Sequence, residues 1–196
     1  MGCELLRAKN NSVTDGEYRL SHHLYPDKTI KVYCHDMSVR PREYLTVNRE
    51  VNVDHWDNRR LQEETKCNDV YQVFEYHEAG HTIFSKVRLI FDKDELYLDG
   101  DDFTFAQKVS GEWRTFGIAG NCHGEGPCPL GYFKIDLTDT CAYIPELEWM
   151  LTRTENANVT SNTDRTISSA KCGGGCGECK PRHGRIHVRP TNHCNT

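Results

Sequence analysis

Residues 171–181 read Lys-Cys-Gly-Gly-Gly-Cys-Gly-Glu-Cys-Lys-Pro. Cys172, Cys176 and Cys179 stand close together in this segment, and glycine supplies most of the residues between them. Because glycine adopts backbone angles that other residues avoid, the segment can coil tightly and present several sulfur atoms at once. It suits either a disulfide knot or a structural zinc module, in which a nearby histidine completes a tetrahedron of three thiolates. The rest of the chain favours one of these two chemistries.

The cysteine distribution favours disulfide bonds. An even number of cysteines, spread from one end of the chain to the other, indicates a disulfide framework formed in an oxidising compartment. Two sequons, Asn10-Asn11-Ser12 and Asn158-Val159-Thr160, agree with this and predict glycans on Asn10 and Asn158. The spacing does not fix the pairing. The ten cysteines predicted to be bonded are Cys3, Cys34, Cys67, Cys122, Cys128, Cys141, Cys172, Cys176, Cys179 and Cys194.

Length and charge narrow the function classes. A chain of 196 residues indicates a single domain, residues 1–196. The net charge is -5 and Lys and Arg are spread through the chain, so we expect neither nucleic acid nor a membrane surface as a partner. No apolar run approaches the length of a membrane span, so we expect no membrane insertion. The first residues form no hydrophobic signal segment, and we therefore expect a piece of a larger secreted protein.

Hydrophobic alternation predicts an all-β domain, a β-sandwich or barrel-like fold with long polar loops. Short alternating segments are separated by turn residues, and no helix–strand alternation occurs. The longest such segment, 82–91, places Ile83, Val87, Leu89 and Phe91 on one face. Residues 48–69, with one helical turn at 59–64, and residues 154–169 are predicted loops, the second of them mobile. The predicted strands are 17–20, 30–34, 43–47, 82–91, 96–98, 103–109, 115–118, 132–137, 141–144, 149–152 and 185–189, the last with Ile186 and Val188 inward.

One catalytic motif occurs, His77-Glu78-Ala79-Gly80-His81. On a helix this pattern places two imidazoles one turn apart to hold zinc, with Glu78 as general base to the metal-bound water. Gly80 weakens a helix, however, and a β-patterned run begins at Thr82. We interpret the motif as accidental and predict no catalytic residue, metal or cofactor. A zinc hydrolase using His77, Glu78 and His81 is the alternative.

Several segments, in this order and spacing, resemble the GON domain, the C-terminal module of a subset of secreted ADAMTS metalloproteases. The resemblance covers about residues 3–189 and leaves 190–196 as a C-terminal tail. It implies a disulfide-bonded, non-catalytic accessory domain without a cofactor. It further implies a location in the extracellular matrix and matrix, cell-surface or secretory-pathway proteins as partners. The segments are Cys3-Glu-Leu-Leu, Asp15-Gly-Glu-Tyr-Arg-Leu, Ile30-Lys-Val-Tyr-Cys34-His-Asp-Met, Pro41-Arg-Glu-Tyr-Leu-Thr-Val, Ala79-Gly80 leading to Phe84-Ser-Lys-Val-Arg-Leu, Ala119-Gly-Asn-Cys122, Cys128-Pro-Leu-Gly-Tyr-Phe-Lys-Ile-Asp-Leu137 and 171–181.

The chain departs from the family pattern at three places. In the family the pair equivalent to Ala79-Gly80 has no flanking histidines, so no catalytic role carries over to the motif. The interval 48–70 is shorter than in the family and keeps only Cys67. Cys141 and Cys194 are additional cysteines. One hypothesis is that a family bridge was lost and a Cys141–Cys194 bridge was gained, which would pin the C-terminal tail to the Cys141 strand.

Overall fold

A computed structural model describes residues 2–47, 53–56, 80–121, 131–145, 149–152, 157–173, 177–192 and 194, with the backbone alone at 53–56 and 121. Within these residues the chain is mainly β, as predicted, and begins with one short helix. The elements are α1 (Cys3–Lys9), β1 (Gly16–His22), β2 (Tyr25–His35), β3 (Arg42–Thr46), β4 (Val53–Trp56), β5 (Gly80–Phe84), β6 (Lys86–Phe91), β7 (Leu96–Asp99), β8 (Ala106–Gly111), β9 (Ala119–Asn121), β10 (Gly131–Asp136), a 3-10 turn (Thr138–Thr140), β11 (Ala142–Tyr143), β12 (Trp149–Thr152), β13 (Asn158–Ser161), β14 (Ile167–Cys172), β15 (Gly177–Pro181), β16 (Ile186–His187) and β17 (Arg189–Pro190).

The strands form two large sheets and a small one. The first has six strands in the order β1-β2-β3-β6-β7-β16, all antiparallel neighbours. The second has nine, in the order β12-β15-β9-β4-β10-β14-β13, with β5 and β8 attached through β4. The third pairs β11 with β17. In the part of the chain described here both large sheets stay open, so the sandwich form of the prediction describes the fold better than the barrel form.

A single hydrophobic cluster draws on both large sheets. Val32 and Leu89 of the six-stranded sheet and Ile135 of the nine-stranded sheet are fully buried and belong to it. Alternation along each strand points these side chains inward and their neighbours outward, as a half-buried strand requires. Ile186 and Val188 are buried, as predicted, but the strand predicted at 185–189 is two short strands, β16 and β17, which belong to different sheets.

The segment predicted as one long strand, 82–91, is two strands that belong to different sheets. β5 lies in the nine-stranded sheet and β6 in the six-stranded sheet, with Ser85 between them. The Ser85 backbone amide and hydroxyl both donate to the Phe105 carbonyl, at 3.0 and 2.9 Å, and fix the crossing. The alternation shifts by one residue there, so Phe84 is buried together with Val87 and the predicted faces are wrong for β5.

Two predicted loops contain strands. The polar segment 154–169 was expected to be mobile, yet β13 pairs with β14 along it. Hydroxyl groups replace apolar contacts in this hairpin: Thr160 Oγ1 lies 3.0 Å from Ser169 Oγ, and Ser161 Oγ lies 2.8 Å from Ser168 Oγ. The segment 48–69 contains β4, and its predicted helical turn at 59–64 lies outside the described residues.

Other strand boundaries move by a few residues. The strand predicted at 103–109 begins three residues later, as β8. Residues 115–118 lie in a turn that precedes β9.

Helix α1 was not predicted. Its sequence, Cys-Glu-Leu-Leu-Arg-Ala-Lys, consists mostly of strong helix formers. Glu4 in the first turn and Arg7 and Lys9 in the last turn have the signs that complement the helix dipole. A helix of seven residues is too short to be stable alone, and its attachment to the six-stranded sheet supplies the rest.

Candidate functional site

The glycine-rich cysteine segment contains a disulfide bond. Cys172 ends β14, Cys179 lies in β15, and their sulfur atoms are bonded across a sequence separation of seven residues. Both residues are fully buried. Two of the three thiolates that the zinc alternative needs are therefore bonded to each other, which favours the disulfide interpretation. Cys176 lies outside the described residues.

Two further disulfides attach the ends of the chain. Cys3 of helix α1 is bonded to Cys34 of β2, and Cys141 is bonded to Cys194. The second bond is the bridge that the hypothesis on the additional cysteines predicted. Thr191 donates its backbone amide to the Cys141 carbonyl at 2.9 Å, so the tail is held by a backbone contact as well. The remaining predicted disulfide cysteines, Cys67, Cys122 and Cys128, lie outside the described residues.

The described part of the His-Glu-x-x-His motif is a strand. Gly80 and His81 begin β5, and His81 stands opposite His55 of β4 and Ser110 of β8. A strand points alternate side chains to opposite faces, whereas the motif requires both histidines on one face of a helix. His77 and Glu78 lie outside the described residues. The local structure at His81 thus differs from the one that this zinc motif uses.

Both predicted glycosylation sites are exposed to solvent. Asn10 follows helix α1, and its Oδ1 accepts hydrogen bonds from the Ser12 amide at 3.0 Å and the Ser12 hydroxyl at 2.7 Å. Asn158 is the first residue of β13, which ends the order of the nine-stranded sheet. Both asparagines therefore stand where a glycan meets no steric obstacle from the core.

A cleft of about 290 Å³ opens where the three sheets meet, and we call it the cationic cleft. Its apolar side includes Trp149 and Pro181, which are partners in the pairing of β12 with β15, and the adjacent Pro145. Its other side includes Arg185, which directly precedes β16, and Arg189, which is the first residue of β17. The cleft therefore combines an apolar wall with a cationic wall.

The close packing beneath the cleft depends on a glycine. Gly117 has a φ of +79°, which strains any residue with a side chain. A Cβ built there would lie 2.5 Å from Ile186 Cδ1 and 3.2 Å from Trp149 Cη2. Ile186 and Trp149 therefore both occupy space that a side chain at this position would need, and Trp149 also packs on Phe133 with ring centroids 4.6 Å apart.

One carboxylate organises the cationic wall. Glu95 pairs through Oε1 with Arg185 Nη1, and its Oε2 lies 2.7 Å from His187 Nε2. The Arg185 guanidinium also lies over the Tyr97 ring, 4.5 Å from its centroid. The Arg185 side chain is still 48% exposed, so it is held in place without being withdrawn from solvent. A guanidinium has five N–H donors and keeps several of them for a further anion.

This cluster was not predicted, because the even spread of Lys and Arg along the whole chain conceals it. Residues 180–189 contain four cations and no acidic residue, in a chain whose net charge is -5. His183, Arg185, His187 and Arg189 alternate with smaller or apolar residues, the pattern of one polar strand face. This alternation is the sequence signal that could have identified the cationic wall. The apolar wall consists of residues distant in sequence, so the alternation does not predict it.

Fold and site together define a disulfide-bonded, mainly β domain with a surface cleft. The family model of the GON domain matches residues 1–189, and the chain belongs to this family. The expected resemblance is thereby confirmed over almost the whole chain.

Curated relatives place this domain within much longer proteins. The chain is 33% identical over 190 residues to A disintegrin and metalloproteinase with thrombospondin motifs 20 of Mus musculus, a match that covers 91% of the chain and 10% of the relative. It is also 33% identical over 193 residues to A disintegrin and metalloproteinase with thrombospondin motifs gon-1 of Caenorhabditis elegans, covering 91% of the chain and 9% of the relative. The chain thus spans about a tenth of the length of these relatives. No solved structure matches it significantly.

Two features are absent from the described residues. No helix in them is long and apolar enough to cross a membrane. No group of three or more histidine, cysteine, aspartate or glutamate side chains in them is arranged to hold a metal ion.

Proposed function

We propose that the chain is a non-catalytic accessory module of a larger secreted protein, an ADAMTS-type metalloprotease, and that it contacts matrix or cell-surface partners. The single observation that carries the proposal is the coverage of the relatives. Proteins named as metalloproteinases match 91% of this chain with only about a tenth of their own length. The protease activity implied by their names then belongs to another part of such a protein.

The disulfide framework supports the secreted location. All six described cysteines form disulfide bonds, which persist in oxidising compartments and are rare in the cytosol. Two of the bonds tie the end segments of the chain to the rest of the domain, and the third links β14 to β15. A rigid scaffold that presents loops and clefts is the usual organisation of an extracellular interaction module.

The test is a binding measurement on matrix. The domain, expressed behind a secretion signal in mammalian cells, is added to decellularised fibroblast matrix and to intact cell surfaces. We expect saturable retention that is lost when the domain is reduced and alkylated. Retention equal to that of the unfolded form would contradict the proposal.

A peptidase assay separates this proposal from the zinc-hydrolase alternative. The purified domain and its Glu78→Gln variant are compared on a mixed peptide substrate, with and without zinc. We expect no difference between them. Zinc-dependent cleavage that the substitution abolishes would overturn the non-catalytic assignment.

A further inference from the structure

The cationic cleft presents its charges as a row along an extended segment. Ile186 and Val188 are buried, so the residues between and beside them face outward. Alternate residues of an extended chain lie about 6.5–7 Å apart, which puts Arg185 and Arg189 about 13 Å apart. A row of this kind matches a linear polymer with anionic groups at regular intervals better than it matches a single small anion.

The opposite wall has a different chemistry. Trp149 is half-buried, with one face packed on Phe133, and Pro145 and Pro181 lie beside it. Aromatic and proline rings present apolar surface to the C–H faces of a sugar ring, while guanidinium groups bind sulfate and carboxylate groups through paired N–H donors. The cleft volume, about 290 Å³, is at the lower end of the range for small-molecule sites and suits one or two sugar rings of a longer chain.

We propose that the cationic cleft binds a sulfated linear polysaccharide of the glycosaminoglycan class. The proposal rests on the proposed function and names the chemical class of one partner for that interaction module. A polynucleotide is the competing polyanion. The polysaccharide is favoured because the disulfides place the chain in an oxidising, extracellular-type compartment, where sulfated polysaccharides are the abundant linear polyanions.

The carboxylate of Glu95 holds the Arg185 guanidinium in place while leaving it exposed to solvent. Glu95 contacts Arg185 and His187, whereas Arg189 lies on β17 and pairs with Tyr143. A further exposed cation, Arg182, lies in the turn between β15 and β16. Binding of a polyanion releases condensed counterions, so the affinity should fall steeply as salt rises.

The test uses the secreted, disulfide-bonded domain and three immobilised probes: heparin, desulfated heparin and single-stranded DNA of matched charge. We expect heparin to bind most tightly. The Arg185→Gln/Arg189→Gln variant should lose about tenfold in affinity, and the slope of log affinity against log salt should fall by about 1–2. The matched control is Lys9→Gln/Arg40→Gln, two exposed cations outside the cleft, which makes the same change in charge and should alter the affinity less than about twofold.

Three outcomes would overturn the proposal. They are equal losses in the two double variants, DNA binding as tight as heparin binding, and no heparin binding by the wild type at low salt. Circular dichroism and disulfide mapping of each variant show whether it has folded. If the domain binds heparin but is not retained on matrix, the proposed function is wrong and the assignment of the cleft stands. If the domain is retained on matrix but does not bind heparin, the assignment of the cleft is wrong and the proposed function stands.

Discussion

Glu43 accepts a hydrogen bond from the backbone amide of Cys3, with 2.8 Å between Oε1 and the nitrogen, although the two residues are 40 positions apart. The carboxylate thereby satisfies one of the amides that helix α1 leaves unpaired at its first turn. Its other oxygen lies 3.1 Å from Arg88 Nη1. A Cβ on Gly2 would come within 2.6 Å of Glu43 Oε1, so a side chain at this position would require the carboxylate to shift. Glu43 and the Cys3–Cys34 bond together attach α1 to the six-stranded sheet.

We expect Glu43→Ala to lower the free energy of unfolding by about 2–4 kcal/mol, because it leaves the buried Cys3 amide and the Arg88 guanidinium without their shared acceptor. Glu43→Gln keeps one oxygen at nearly the same place and should cost about half as much. Equilibrium denaturation with the disulfides intact measures both. Glu4→Gln, on the exposed side of α1, is the control and should stay within about 0.5 kcal/mol of wild type. A loss for Glu43→Ala no larger than this control would show that the contact contributes nothing.

Removal of the Cys141–Cys194 bond, as Cys141→Ser/Cys194→Ser, should cost about 2–4 kcal/mol, because the bond closes a loop with a sequence separation of 53 residues. Hydrogen exchange of residues 189–194 should also rise, since the tail then loses its covalent attachment and keeps non-covalent contacts such as the β11–β17 pairing and the Thr191 amide. Cys172→Ala/Cys179→Ala is the comparison, and it should lower stability while leaving exchange in the tail unchanged. Peptide mapping of the unreduced wild type should recover both bonds, and a different partner for Cys194 would refute the pairing.

The sequence predicted the class of fold well but not the sheet in which each strand lies. Period-two alternation is a local signal, and it correctly located segments such as β10 and β12. The run 82–91 has the same residue types on both sides of Ser85, so nothing local shows that the chain leaves one sheet for the other there. The crossing is fixed by the contact with Phe105, a residue 20 positions away. Contacts between distant segments therefore determine which sheet each strand joins, and local alternation does not reveal this.

The candidate site likewise has one part that the sequence predicts and one part that depends on contacts between distant segments. The row of alternating basic residues and its inward neighbours are visible in residues 183–189. The apolar part of the cleft depends on β12, which places Trp149 beside Pro181, and on Gly117, where a side chain would meet Ile186 and Trp149. These are relationships among four separate segments, and a single sequence carries no signal for them. The hydroxyl ladder of β13 and β14 was missed for a related reason, since polar residues ordinarily indicate a loop.

Both sequons should carry glycans in the domain secreted from mammalian cells. Asn10 and Asn158 are exposed, and neither side chain is part of the core. Intact mass before and after treatment with a peptide-N-glycosidase should show two removable glycans, and Asn10→Gln and Asn158→Gln should each remove one. Substitution at Asn158 is preferable to substitution at Thr160, whose hydroxyl contacts Ser169 in the hairpin. An unmodified secreted chain would refute the prediction.

His22 should make stability depend on pH. The ring is 4% exposed and packs on Phe91; its Nε2 donates to the Asp92 carbonyl at 2.6 Å, and its Nδ1 accepts from the Leu24 amide at 3.3 Å. Burial lowers the pKa of His22 below its ordinary value of 6.5, although the bond to Asp92 opposes this. Protonation would place a second N–H against the Leu24 amide, so the fold holds the ring neutral.

The sign of the effect follows from proton binding. Below pH 6.5 the unfolded chain protonates His22 while the folded chain still resists it, so the unfolded state binds more protons. The contribution to stability is therefore complete above pH 6.5 and is lost as the pH falls through the lower pKa of the folded state, with a slope of at most about 1.4 kcal/mol per pH unit. Denaturation of wild type and His22→Asn at several pH values between 7.5 and 5 should show the slope in the first and a flatter profile in the second. His23→Asn changes the exposed neighbouring ring and leaves the buried ring and its two hydrogen bonds in place, so it should keep most of the wild-type slope. Parallel profiles for wild type and His22→Asn would assign the pH dependence to other groups.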